Sequence, residues 1–453
     1  MKPKLNGLTH GGFSGIIVAL FLALNLIAAA QENGTRQVED LSLNDILKLA
    51  KERNILVKAM ESEEQAATAD WHDAKNNALP NISATGNYQR FTKLTLYNDG
   101  LSKVVSVPKI PSQDAADIAL AASFNLYSGG RQKAYKSEQY FRKDLAALNT
   151  HEQTAYIRLQ AVNQYLEMLK LTDQRRYLEE QLVRAETREK NIKSLYVNQK
   201  VTRSDLLRAE LNVSAVKLNL IQAQNDIEIS NDKLDVLINL PEHTRINLVD
   251  SANMGKPEAE SLLPLVTKTR DSSFSVIRAA QNIKIQNARL ENVKSNYSPS
   301  VSLISFYGLT YPNNLFFPPA DQAFSIGFVG MRIQYNISAF YHNKNKVKSA
   351  RNRMQQLQFL RQNTADNSNQ EAIALYTKYK EALNRIDVAR QSIEQARANL
   401  KIVSAKYFNQ LALLTDLLDA DDLFQGSKFD LVQAQVNAHL IYYRLLFTSG
   451  NLQ

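Results

Sequence analysis

"NQLALLTDLLDADDLF" (residues 409–424) has an earlier counterpart, "NQKVTRSDLLRAELNV" (residues 198–213). The two stretches lie 211 positions apart and share Asn, Gln, Asp-Leu-Leu and Ala in register. The later copy is the more acidic, with Asp416, Asp419, Asp421 and Asp422. The correspondence extends outward in both directions. After the first copy, Leu206, Ala209, Val213, Val216, Leu220, Ala223, Ile227, Leu234 and Leu237 step by three and four, with Ser230 in the one gap. That is a sustained heptad seam. Shifted by the same offset it becomes Leu417, Ala420, Phe424, Leu431, Ala434, Ala438, Ile441 and Leu445, with Ser427 and Thr448 as polar exceptions. Upstream, Phe124-Asn125-Leu126 falls on Tyr335-Asn336-Ile337. The chain therefore reads as a tandem duplication, 31–250 and 251–453, with units too long for a solenoid repeat.

Each unit predicts the same order of elements. A helix comes first, about 42–77 and 261–296, closed by Pro80 and Pro299. Two strands follow, about 81–91 and 116–127, then about 300–311 and 322–338. "IALAASFNL" (118–126) alternates apolar with small or polar residues, and "VSLISFYGLTY" (301–311) is β-branched and aromatic. Next comes a proline-free helix, about 131–197 and 342–408, long enough to span about 100 Å at 1.5 Å per residue. A tight turn at the repeated motif, about 198–205 and 409–416, leads into the last helix. Fold class is thus mainly α with a small β part.

The N-terminus carries Lys2 and Lys4, an apolar run "IIVALFLALNLI" (16–27) and small residues at 28–30. This is the pattern of a secretory signal peptide over 1–30, and the run is too short for a spanning helix. No comparable run follows, so membrane insertion would require a β-barrel. Four strands are too few for a barrel within one chain, which implies a barrel shared among subunits. The chain contains no cysteine, which excludes thiolate metal sites, thiol nucleophiles and disulfides. The net charge of +9 comes from Lys and Arg mixed with acids along helices, a solvated helix surface rather than a nucleic-acid module. Six scattered histidines share no ligand spacing, and no HExxH, GxSxG, Walker or Rossmann pattern occurs. No cofactor, no metal and no enzymatic activity are expected.

The chain resembles the TolC-like outer-membrane efflux proteins. The features that carry this are "LSLNDILKLAKERN" (41–54), "FNLYSGGR" (124–131), the two Asp-Leu-Leu hairpins and the duplicated helix–strand–strand–helix–helix order. The resemblance implies a homotrimer with a twelve-stranded transmembrane β-barrel in outer-membrane lipid, above an α-barrel of antiparallel coiled-coil helices reaching into the periplasm. It implies a passive exit duct for a tripartite efflux or type I secretion system in a Gram-negative bacterium. The partners would be a periplasmic adaptor and an inner-membrane transporter of RND, ABC or MFS type. A periplasmic coiled-coil adaptor or scaffold without a pore is the competing reading.

Site residues follow from the same resemblance. Asp416 and Asp419 match the acids that constrict the periplasmic aperture and bind cations. A dipole-complementing first turn after a capping Thr415 would also account for acids there. Asp421 and Asp422 read as surface acids. In the first copy Asp205 matches Asp416, but Arg208 stands where Asp419 does, and both are candidates for closing the gate. Gln199, Lys200, Gln410 and Leu411 form the hairpin tips expected to meet the adaptor. The family often has Gly at the positions of Gln199 and Gln410. Gly129 and Gly130 in "YSGG" match the strand-to-helix turn, and "NNLFFPPA" (313–320) suits an extracellular loop or an aromatic girdle.

Overall fold

In this computed structural model, residues 38–92, 96–97, 100–101, 104–106, 112–241, 244–250, 262–313 and 320–452 are described. The expected leader and most of the 313–320 loop lie outside the described residues. The chain forms two compact units. One comprises residues up to Ile55, Ile157–Ala259 and Thr377–Arg444; the other comprises Leu56–Tyr156, Glu260–Tyr376 and the segment from Leu445.

Strands β1 (Val38–Leu41), β2 (Asn81–Arg90), β3 (Leu96–Tyr97), β4 (Val104–Ser106), β5 (Asp114–Tyr127), β6 (Arg245–Leu248), β7 (Ser300–Tyr311) and β8 (Phe324–Gln334) are numbered in chain order. The helices are α1 (Leu43–Arg53), α2 (Ile55–Asn76), α3 (Arg131–Val197), α4 (Arg203–Ile238), α5 (Leu263–Ser272), α6 (Phe274–Lys294), α7 (Ala339–His342), α8 (Lys344–Phe408) and α9 (Leu414–Thr448).

The unit that begins at Leu56 contains an antiparallel sheet in the order β2-β5-β7-β8. Period-two alternation gives this sheet two unlike faces. The register puts Ile82, Ile118, Leu120, Phe124, Leu303, Tyr307, Leu309, Val329, Met331 and Ile333 on one face. Most of these are exposed in the single chain. Asn81, Ser83, Thr85, Asn87, Asp117, Ser123, Asn125, Ser302 and Arg332 occupy the other. That second face also carries Ile304, Ile326 and Phe324, and Phe306 stacked on Phe328, with ring centroids 5.7 Å apart. Both outer strands, β2 and β8, leave an unpaired edge among the described residues. Strand β8 stops at Gln334, short of the expected 338, because the chain turns there. Ser338 Oγ donates to Asn336 Oδ1 (2.6 Å) and Ala339 N to Asn336 O (3.1 Å), starting α7.

Below the sheet in the chain path, Leu290 of α6 packs with Val347 and Ala350 of α8. The entry to α3 runs through Gly129 (φ +65°) and Gly130 (φ +85°), left-handed positions open to glycine at little cost.

The other unit is organised by the helical seam. Ala209, Val213, Val216, Ala223, Ser230 and Leu234 of α4 are buried, as are Leu417, Ala420, Ala434 and Ala438 of α9. A parallel pair β1–β6 lies beside them, with Val38 opposite Arg245. It is pinned by Asp250, whose Oδ2 accepts from Leu43 N (2.9 Å) and from the Tyr165 hydroxyl (2.6 Å). Burial first, then that bond to Asp250, pushes the Tyr165 phenol well above its ordinary pKa.

Two expected helices are each interrupted. The helix over 42–77 breaks at Asn54, where ψ is 129°, and the Asn54 amide donates to Leu237 O (2.8 Å). The helix over 261–296 breaks at Ser273, with ψ of 136°. Among the described residues, no helix is long and apolar enough to cross a membrane.

A Cβ added at Gly129 would lie 2.6 Å from Ser295 O. Gly129→Ala is expected to cost about 2 kcal/mol or more, from the left-handed φ plus this clash. At Gly426, inside α9, nothing lies within 4 Å of an added Cβ, and Gly426→Ala should gain about 0.5–1 kcal/mol. Thermal melting followed by circular dichroism reads both, with opposite signs.

Candidate functional site at the helical hairpin tips

Both hairpins turn in the same way. At the first, Lys200 N donates to Leu195 O (2.9 Å) and Gln199 N to Tyr196 O (2.8 Å). At the second, Leu411 N donates to Lys406 O (2.8 Å) and Gln410 N to Tyr407 O (2.9 Å). This pair of bonds is the Schellman end of a helix, which needs a left-handed residue at its pivot. Gln199 (φ 57°) and Gln410 (φ 62°) supply it. The departure from glycine thus leaves the turn geometry intact and adds backbone strain. The end of α9 makes the same pair of bonds with Gly450 at the pivot.

The helices leaving the turns are capped unequally. Thr202 and Asp205 form a full capping box. Asp205 Oδ2 accepts from Thr202 N (3.0 Å), and Thr202 Oγ1 accepts from Asp205 N (3.2 Å). In the second hairpin the equivalent of Thr202 is Leu413, so only half of the box survives. Asp416 Oδ2 accepts from Leu413 N (3.0 Å). Leu413, not Thr415, occupies the cap position, since Leu417 N bonds Leu413 O.

The four acids of the second copy take different roles. Asp416 caps the helix and is exposed. Asp419 is exposed and has no partner among the described residues. Asp421 is not a surface acid: its side chain is only 2% exposed and meets two arginines of α3. Its carboxylate accepts from Arg184 Nε (3.3 Å) and Arg188 Nη2 (2.8 Å). The side chains of Arg184 and Arg188 are 32% and 10% exposed. Asp421 lies one helical turn after Leu417 and so falls on the packed face. That i,i+4 relation was the available sequence signal. Asp422 Oδ1 accepts from Gln181 Nε2 (3.2 Å). Burial, then Asp421 and Asp419, raise its pKa.

Ile192, Ala209 and Leu414 form a small buried cluster here, joined by Val201, Leu206, Tyr407 and Leu418. It packs the two hairpins of one chain together. The Tyr407 hydroxyl is buried without a hydrogen-bond partner. Burial first, then Asp205, raise its pKa against an opposing pull from Arg188. Arg208 is exposed and pairs with no acid among the described residues. At the tip itself, Leu411 and Leu413 are 76% and 69% exposed.

Three outcomes check this geometry. Asp421→Asn removes the charge that two arginines share and should cost about 3 kcal/mol, the usual penalty for stranding a buried cation. Gln410→Gly should relieve about 1 kcal/mol of left-handed strain. Asp422→Asn should stabilise the fold at neutral pH. A carboxyl with raised folded-state pKa binds its proton more tightly when folded, so the advantage should vanish once the pH falls below the unfolded aspartate value. Chemical denaturation across pH measures all three.

Comparison with known proteins fits this architecture. The family model described as outer membrane efflux protein matches residues 46–240, fewer than half of the chain's residues. No curated protein sequence matches the chain. Among solved structures, CusC aligns with a TM-score of 0.75 at 15% identity, covering 93% of this chain and 95% of its own. VceC from Vibrio cholerae aligns with a TM-score of 0.72 at 17% identity, covering 90% and 96%. The MtrE outer membrane channel of Neisseria gonorrhoeae aligns with a TM-score of 0.71 at 16% identity, covering 91% and 89%. Identities this low establish the fold. The expected resemblance thus holds: residues 46–240 carry the sequence pattern of the outer membrane efflux proteins, and about nine-tenths of the chain aligns with the fold of these TolC-like channels.

Proposed function

We propose that this chain is the outer-membrane exit duct of a tripartite efflux or type I secretion system, acting as a passive conduit. The observation that carries the reading is the apolar sheet face, whose exposed Ile82, Ile118, Leu120, Tyr307, Val329, Met331 and Ile333 have no partner layer among the described residues. An unpaired edge is not tolerated in hydrocarbon. Three copies, each joining its β8 to a neighbour's β2, would close a twelve-stranded barrel with the apolar face in lipid and the polar face inward. The duplicated helix pairs would continue the wall into the periplasm as an α-barrel.

The hairpin tips would form the periplasmic gate. Three copies of Asp419, joined by the free oxygen of Asp416, would ring the axis and favour cations. Arg208 and Asp205 would then find partners across the boundary between copies. Gln199, Lys200, Gln410 and Leu411, with the exposed Leu413 beside them, would dock the adaptor. An inner-membrane transporter would supply the energy.

Planar-bilayer recording tests this. The purified protein should insert as a trimer with unitary conductance steps, blocked from the tip side by divalent cations. Asp419→Ala should weaken that block without changing stability. Asp416→Ala should weaken it and also cost about 1 kcal/mol through the lost cap. A soluble monomer without conductance would favour the scaffold reading.

A further inference from the structure

The second face of the sheet is polar on one side only. On β2 it carries Asn81, Ser83, Thr85 and Asn87, and on β5 it carries Asp117, Ser123 and Asn125. On the β7–β8 side the same face turns apolar, with Ile304 and Phe306 beside Ile326 and Phe328. The register sets Phe306 directly opposite Phe328, and their ring planes are 21° apart. A Cβ added at Gly308 would lie 2.8 Å from Cζ of Phe306. The missing side chain at Gly308 thus lets the Phe306 ring lie along the sheet. Phe328 and Ile326 are 52% and 48% exposed. Contiguous apolar surface left open in this way marks a contact site.

Farther along β8, toward the helices, the same face carries Gly330 and then Arg332. A Cβ added at Gly330 would meet nothing within 4 Å, so the space between the rings and Arg332 is open. Four residues of strand separate Phe328 from Arg332, about 13 Å. Arg332 is exposed and makes no ion pair among the described residues. On this face of the four strands it is the one cation, and Asp117 is the one acid. Asp117 is opposite Thr310, at the other end of β7, and its Oδ2 accepts from Asn87 Nδ2 (3.0 Å). Ser302, opposite Arg332, donates its hydroxyl to Asn125 Oδ1 (2.8 Å). The apolar patch therefore ends at an uncompensated guanidinium.

We propose that this strip binds aromatic anions, the Phe306–Phe328 pair taking the ring and Arg332 the charged group. A guanidinium pairs an oxyanion through its fork of N–H donors, and offset stacking holds an aromatic ring against the phenylalanines. The inference rests on the reading of the sheet as part of a closed barrel with this face inward. There β8 of one copy would adjoin β2 of the next. On this face β2 brings only uncharged polar side chains, so a neighbouring copy supplies neither an acid for Arg332 nor an apolar cover for the rings. Aromatic anions travelling along the duct supply both.

Two readouts on the purified full chain test this. Calorimetric titration in an uncharged detergent measures binding of naphthalenesulfonate, of methanesulfonate, which lacks the ring, and of naphthalenemethanol, which lacks the charge. Planar-bilayer recording measures block of unitary current by the same probes. Naphthalenesulfonate should bind and block at the lowest concentration. Its dissociation constant and half-blocking concentration should each rise about fivefold in Phe328→Thr and in Arg332→Gln. High salt should weaken its binding to the natural chain more than to Arg332→Gln. Ser305→Ala, next to Phe306 but on the opposite face, should change nothing. Equal affinity for naphthalenesulfonate and either other probe overturns the strip, as does affinity unchanged in both variants. If the variants weaken binding but no conductance appears, the duct falls and the strip stands. If conductance appears and both variants bind as the natural chain does, the strip alone falls.

Discussion

A backbone amide placed in hydrocarbon has no water to bond, so every strand there must be paired on both sides. The four-stranded sheet of this chain satisfies that demand only for β5 and β7. Its edges, β2 and β8, and its apolar face have no partner among the described residues. A closed multi-copy barrel satisfies both requirements at once. The large exposed side chains on that face would be a serious aggregation hazard in water. In lipid they are the appropriate solvent-facing surface.

The helical part solves a different problem: turning two long helices back on themselves while keeping the ends in register. Both turns use a left-handed pivot, and both place glutamine there, accepting strain where glycine would be free. The hairpins are then bound within the chain by an apolar cluster around Ile192 and Leu414 and by the Arg184–Asp421–Arg188 clamp. Desolvation offsets much of the attraction in such a clamp. The acidity of the second copy thus divides into a cap, a clamp and an amide-bonded acid. Asp419 is exposed and has no partner among the described residues.

Much of this was legible in the sequence because periodicity survives burial. The steps of three and four in 206–237 and 417–445 mark residues that are buried or half-buried, and the alternation in 118–124 marks one sheet face. What the sequence hid has specific causes. The breaks at Asn54 and Ser273 lack proline or glycine, and Asn54 is held in place by a bond to Leu237, remote in sequence. The β1–β6 pair joins four-residue strands that are far apart along the chain and depend on the Asp250 contacts. Asp421 reads as a surface acid until the arginines of α3 are placed opposite it. Gln199 and Gln410 stand where the resemblance has glycine, yet both adopt the left-handed conformation within the same pair of turn hydrogen bonds.

The central claim, that one sheet face meets lipid and the other does not, is open to a single direct measurement. The chain has no cysteine, so single cysteines can be placed in turn at Val329, Gly330, Met331 and Arg332 of β8. Each variant is treated with a membrane-impermeant maleimide in outer-membrane vesicles. Labelling should alternate with period two: Gly330 and Arg332 react from the water-filled side, while Val329 and Met331 stay protected. Uniform labelling of all four positions would contradict a membrane-embedded barrel.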